Sequence, residues 1–247
     1  MQILRLSLNP DANLFCFSSA SQIRTCKALG ISTVAVYTAS DQGPHVSAAD
    51  FAIELPGKEV DGGGYLNQKS IIDAATSTAC QAIIPGYGFL SENASFCKKI
   101  EEVEGLVFCG PTSSTIHDFG LKHRAIALAK EAGVPCVPGT GLLEDSEDAL
   151  VQARKIGYPV MLKSSSGGGG MGLSVCRNES ELSEAFQTVT SRSRALFGDS
   201  SVFLEKFIQS GRHIEVQIFG NGEGEIITFG ERECSIQRRN QKIIEEA

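Results

Sequence analysis

Residues 167–170 are four consecutive glycines, followed by Met171 and Gly172 and preceded by Ser164-Ser165-Ser166 and the lysine Lys163. Without Cβ atoms, Gly168, Gly169 and Gly170 can turn backbone N–H groups together onto phosphate oxygens. Taken alone, such a run fits a flexible turn as well as a phosphate cradle. It is neither a Walker A loop, lacking the terminal G-K-[ST], nor a G-x-G-x-x-G that opens a helix. Its position carries more weight. Lys163 closes the apolar segment YPVMLK (158–163). A lysine at the end of such a strand is costly to leave unpaired, so an anionic partner is expected. The plain alternative is a lysine that snorkels to water.

Three further groups fit the same anionic ligand. In Glu205-Lys206-Phe207-Ile208 a nucleobase would meet main-chain groups, and Lys206 would reach an acceptor. Lys122, in FGLKHRA, falls in the first turns of a helix after Gly120, where a solvated lysine is the competing reading. The segment ERECSIQRRNQK (231–242) brings Arg232, Arg238, Arg239 and Lys242 together with Gln237 and Asn240. Charge runs are usually solvated faces. Here Cys234 and Ile236 interrupt the run, which predicts a partly buried strand or loop and an anion site.

The elements that must position these groups follow from periodicity. STVAVYT (32–38), DFAIELP (50–56), QAIIPG (81–86) and GLVFCGP (105–111) read as strands, with NQKSIIDAATSTA (67–79) and the stretch after Ser91 as helices. Strand–helix alternation predicts an α/β unit with a parallel sheet, and PGYGFLSEN (85–93) at the carboxyl ends of its strands, where such sheets bind ligands. A second unit begins near Pro135. In it Ala149, Leu150, Ala153 and Ile156 mark a helix face stopped by Gly157 and Pro159. YPVMLK and GLSVCR are strands. Asn178 with Glu181 forms a capping-box-like start for a helix that buries Leu182, Ala185, Phe186 and Val189, and SVFLEKFI (201–208) closes the unit. In HIEVQIF (213–219), Ile214, Val216 and Ile218 are expected to point inward and His213, Glu215 and Gln217 outward, with NGEG turning the chain into EIITFGE (225–231).

Composition narrows the class. A net charge of −7 argues against a nucleic-acid partner, and no apolar run approaches the ~20 residues of a membrane span. The opening MQILRLSLNP is too short and polar for a secretory signal. The eight cysteines contain no C-x-x-C pair, and several sit in apolar runs, as buried free thiols of a reducing, cytoplasmic compartment would.

PGYGFLSEN, AGVPCVPG, YPVMLKSSSGGGGMGL, FLEKFI, RHIEVQI and GERECSIQRRNQKIIEEA together resemble the biotin carboxylase domain of biotin-dependent carboxylases, from about Ala20 to the last residue. The resemblance implies a Rossmann-like (pre-ATP-grasp) domain over 1–118, a helical linker over 119–134, an ATP-grasp lid subdomain over 135–208, and the truncated start of an ATP-grasp C-terminal domain over 209–247. It implies a ligase in which ATP phosphorylates bicarbonate and the carboxyphosphate yields CO2 to the ureido nitrogen of biotin. Lys122 and Lys163 would contact ATP phosphates, with lid amides from Gly168, Gly169 and Gly170. Glu205, Lys206 and Ile208 would surround the adenine, and His213 would meet the ribose. Gln237 and Asn240 would lie near the nucleotide. Lys242 would hold bicarbonate, forming the catalytic group with Gln237 and Arg239. FGLKH, and RRNQK where most relatives have RRHQK, are closer to urea carboxylase, the carboxylase part of urea amidolyase, than to the acyl-CoA or pyruvate enzymes. RRNQK also argues against a carbamoyl-phosphate-type ligase. No A-M-K-M-type lysine is present, so biotin is expected on a separate carrier domain, with a homodimer possible for a complete domain.

Two departures carry expectations of their own. LFCFSSAS (14–21) stands where the family has an N-R-G-E-I-A turn, which makes the first strand doubtful. The family's two Mg2+-binding glutamates lie beyond Ala247, so no metal ligand is expected here, and the chain is expected to show little turnover. The alternative is a non-catalytic ATP-binding fragment.

Overall fold

Five parallel strands form one sheet in the order β3-β2-β1-β4-β5, built from β1 (Asn13–Cys16), β2 (Ser32–Tyr37), β3 (Phe51–Glu54), β4 (Ala82–Ile84) and β5 (Val107–Phe108). The structure is a computed structural model that describes residues 13–16 (backbone only), 20–58, 61–166, 172–238 and 241–247. Between the strands run α1 (Ala20–Ala28), α2 (Pro44–Ala48), α3 (Gln68–Ser77) and α4 (Ala94–Glu101), with α5 (Ser113–Gly120) following β5. The chain divides into two compact units. One comprises the residues up to His117 with Ile218–Phe229, and the other Asp118–Gln217 with Gly230–Ala247.

In the first unit the doubtful strand is present and central. β1 pairs with β2 from Asn13↔Ser32 to Cys16↔Ala35, and with β4 from Leu14↔Ala82 to Cys16↔Ile84. The expectation against it rested on a missing glycine turn. Pairing in a ladder depends on an extended backbone between two others, which LFC supplies without that turn. The core forms because β2 contributes Val34 and Val36, α3 contributes Ile71 and Ala75, and α4 contributes Phe96, Cys97 and Ile100, all fully buried. Asn67 and Asn93 start α3 and α4 by accepting the N–H groups of Ser70 and Phe96. Winding reverses between β1 and β4, and PGYGFLSEN begins at the carboxyl end of β4, the crevice position of doubly wound sheets. Gly86, Gly88 and Phe89 there adopt left-handed backbone, and Tyr87 is almost fully exposed.

The second unit holds α6 (Lys122–Glu131), α7 (Ser146–Ile156), β6 (Val160–Ser164), β7 (Leu173–Cys176), α8 (Glu179–Phe197) and β8 (Val202–Lys206). β6 lies between β7 and β8, antiparallel to both. Alternation along VMLKS places Val160 and Leu162 in a core with Ala149 and Ala153 of α7 and Leu182 and Val189 of α8. Leu150, Ile156, Ala185 and Phe186 pack at its margin, so both predicted helix faces are the buried ones. Asn178 accepts the Glu181 N–H while the Glu181 carboxylate accepts the N–H of Arg177. Asp145 caps α7, and Gly157 ends it.

The segment after residue 209 departs from expectation. β9 (Ile214–Gly220) and β10 (Ile226–Glu233) form a two-stranded sheet, and β11 (Gln237–Arg238) and β12 (Gln241–Lys242) another. Ile214, Val216 and Ile218, expected to point inward, are 46%, 53% and 37% exposed. Ile236, expected to be partly buried, is also exposed, whereas Cys234 is fully buried. Seven cysteines are described as free thiols, six of them buried. Burial pushes the Cys97 thiol up to about 12 and that of Cys109 to about 11, so both are inert at neutral pH. No described helix is long and apolar enough to cross a membrane.

Candidate functional site

Register decides what Lys163 can touch. In the β6–β8 ladder Met161 faces Glu205 and Lys163 faces Phe203, so Lys163 and Glu205 are diagonal neighbours on one face of the sheet. That face lies opposite the Val160–Leu162 core. The Lys163 amine donates to Glu205 Oε2 as an ion pair, with side chains 24% and 17% exposed. The lysine whose position called for an anionic partner thus has one inside the protein, a pairing the strand pattern did not reveal.

Lys122 opens α6, as expected. Its amine is lowered from the ordinary lysine value, first by burial and then by the charge of Lys163, with Glu205 opposing. Lys122, Lys163 and Glu205 therefore share one electrostatic neighbourhood. Among these three groups two cations stand against one carboxylate, an arrangement that favours a multiply charged anion.

Lys206 is placed differently. It shares the other face of the sheet with Val160, and its amine donates to the carbonyls of Gly157 (2.8 Å) and Tyr158 (3.0 Å) at the end of α7. Glu205 and Lys206, grouped by sequence, are thus separated by the pleat. Ile208 follows β8 and is exposed. Gly168, Gly169, Gly170, Arg239 and Asn240 lie outside the described residues.

A second cluster gathers His213, Glu215, Cys234, Gln237 and Lys242. Gln237 pairs with Lys242 across the β11–β12 ladder. The Gln237 amide lies 2.8 Å from His213 Nδ1 and donates to the Cys234 carbonyl at 3.0 Å. Lys242 and Arg232 each donate to a different oxygen of Glu215. The sequence places Glu215 on an outward strand face and Cys234 in a partly buried run, without a site role for either. The available signal was the period of two that sets Glu215 on the same side of β9 as His213.

The Lys242 amine, joined by Arg232, holds the Glu215 carboxyl down to about 2. Its folded value lies below the ordinary carboxylate value of about 4.3, so the ion pairs stabilise the fold above that pH. That contribution is lost as pH falls from about 4.3 towards 2. Melting temperature should therefore drop more steeply over this window in the unsubstituted chain than in Glu215→Gln. Parallel curves would show that the cluster contributes nothing to stability.

His213, Glu215 and Cys234 also bring potential metal ligand atoms within 4.8 Å of one another, the one such group among the described residues. These residues do not fit Mg2+. That ion demands hard oxygen ligands, and both oxygens of Glu215 already face cations.

Residues 18–116 match the family described as biotin carboxylase, N-terminal domain, and residues 122–247 match carbamoyl-phosphate synthase L chain, ATP binding domain. A biotin carboxylase of Pseudomonas aeruginosa is 46% identical over 228 residues, 91% of this chain and 50% of that protein. The chain belongs to the biotin carboxylase family of ATP-grasp proteins. A putative urea carboxylase of Emericella nidulans is 51% identical over 226 residues, 91% of this chain and 18% of that protein. Among solved structures, the biotin carboxylase domain of the 2-oxoglutarate carboxylase of Hydrogenobacter thermophilus superposes with a TM-score of 0.87 at 44% identity, covering 94% of this chain and 52% of that one. That domain was crystallised as a dimer with MgADP, ADP and bicarbonate. The chain thus spans about half the length of the biotin carboxylases it matches, and under a fifth of the urea carboxylase.

Proposed function

We propose that this chain carries the nucleotide-binding part of an ATP-dependent biotin carboxylase, of the urea carboxylase type, acting in the cytoplasm. The observation that carries the reading is the convergence of Lys122, Lys163 and Glu205, with Lys163 four residues before the glycine run in sequence. Residues up to 118 form the Rossmann-like domain, 135–208 the lid subdomain after the linker 119–134, and 209–247 the start of the C-terminal ATP-grasp domain. The 51% identity to the Emericella urea carboxylase, against 46% to the Pseudomonas biotin carboxylase, supports the urea assignment.

Each described residue then has a task. Lys122 and Lys163 hold the ATP phosphates and offset charge on the phosphoryl group as it passes to bicarbonate. Glu205 keeps the Lys163 amine aimed at that position and, with Ile208, borders the adenine. Lys206 fixes the end of β8 against α7, so that its neighbours present main-chain groups to the base. His213, oriented through Nδ1 by Gln237, meets the ribose. Lys242, with Gln237 beside it and Glu215 holding its amine charged, receives bicarbonate. Arg239 and Asn240 complete this set on sequence grounds. Biotin would be presented by a carrier domain, and the dimer of the Hydrogenobacter relative suggests a homodimer as the working form.

The test is thermal unfolding with and without Mg-ATP. Ligand at 100 times its dissociation constant adds about 2.7 kcal/mol of stability, which raises Tm by roughly 5 °C or more in a protein this size. A cooperative transition that Mg-ATP fails to move would overturn the nucleotide site.

A further inference from the structure

α6 delivers Lys122 to the site, yet it has no buried side chain. Lys122, His123, Ala125, Ile126, Leu128 and Ala129 are half-buried, so packing holds this helix only in part, whereas most helical stability in proteins comes from packing of a buried face. Lys122 must nonetheless stand close enough to Lys163 for the two like charges to interact, which pushes the start of α6 away. Glu205 offsets part of that repulsion, and a directional contact at the start of the helix fixes where Lys122 stands.

That contact is on the next residue. His123 Nδ1 and Ser165 Oγ share a hydrogen bond of 2.6 Å. Ser165 is 1% exposed, and its N–H donates to the Ser201 carbonyl at 2.9 Å, so its hydroxyl is a fixed point just past the end of β6. The backbone bond alongside it, from the Lys122 N–H to the Ser165 carbonyl, is long at 3.4 Å and weaker. Arg124 pairs with Asp118 at 3.1 Å, but both side chains are substantially exposed, and such pairs contribute little. Leu121 at the N-cap offers no side-chain cap. Asp199 lies near enough for the charge of His123 to act on its carboxyl, and it accepts from Ser166 Oγ at 2.6 Å.

We infer that His123 is a positioning residue: through Ser165 it pins the first turn of α6 to the end of β6 and so sets the approach of Lys122 to Lys163. The inference rests on the nucleotide reading above only for its consequence in binding; the latch itself has a separate readout.

The experiment uses the full 247-residue chain with His123→Leu, His123→Asn and His123→Gln, each also combined with Lys122→Met. An asparagine amide sits where Nδ1 does, whereas a glutamine amide sits nearer Nε2. His123→Leu should weaken Mg-ATP binding about tenfold, the scale of one buried hydrogen bond, and speed amide exchange of the first turn of α6 by a similar factor. His123→Asn should restore both and His123→Gln should not. In the Lys122→Met background His123→Leu should cost no further affinity, since its effect passes through that lysine. Unchanged exchange in His123→Leu, equal behaviour of Asn and Gln, or additive losses in the double variant would each overturn the inference. Failure of the unsubstituted chain to bind Mg-ATP would instead overturn the nucleotide reading and leave the exchange measurement to decide the latch.

Discussion

Replacing Lys163 with methionine is expected to weaken Mg-ATP binding by at least ~100-fold, from a loss of about 3 kcal/mol or more. The magnitude exceeds that of one phosphate contact because Glu205, 17% exposed on its side chain, would be left facing the ligand with its partner gone. A partly buried carboxylate stranded in this way repels phosphate oxygens as well as losing its own ion pair. Lys163→Met/Glu205→Gln should accordingly recover part of the loss, although it removes a second native group. Calorimetric titration with Mg-ATP distinguishes the cases. A Lys163→Met chain that binds as tightly as the original would show that the lysine belongs to the Glu205 pair alone and not to a ligand site.

The second large effect is on stability. Leu162 is fully buried on the central strand β6, one residue before Lys163, between helices that contribute Ala149, Ala153, Leu182 and Val189. Leu162→Ala removes its transfer energy and leaves a cavity that a three-stranded sheet under two helices fills poorly. The expected cost is ~2–5 kcal/mol. Urea denaturation should show the midpoint falling without a large change in slope. A loss below about 1 kcal/mol would mean that this core collapses around the gap and does not hold β6, and with it Lys163, in place.

How far the sequence led depended on the range of the interaction. The helix face of Ala149, Leu150, Ala153 and Ile156 and the Asn178–Glu181 start of α8 are local patterns, and the structure has both as read. The Lys163–Glu205 pair was not legible, because a diagonal contact between strands is fixed by register and not by either strand's own pattern. The same holds for Lys206, whose face followed from its pairing with Val160. Glu215 and Cys234 carried no site role in the sequence because one reads as the polar side of a strand and the other as a small hydrophobe. Only the fold brings Arg232 and Lys242 to Glu215. For β1 the error ran the other way. The missing glycine was a difference from relatives, whereas strand formation depended on neighbours that a reading of 14–21 alone does not contain.

The central place of β1 also has a bearing on how the chain is made. This strand is synthesised first among the described elements, yet one of its two ladders, to Ala82–Ile84, has no partner until β4 has left the ribosome. Until then β2 and β3 have only β1 to extend onto, and the far edge of β1 is open. Vectorial folding of the five-stranded sheet is therefore a late, non-local event. A chain that started translation after β1 would contain β3–β2 and β4–β5 as two separate pairs, with the strand that joins them through hydrogen bonds missing.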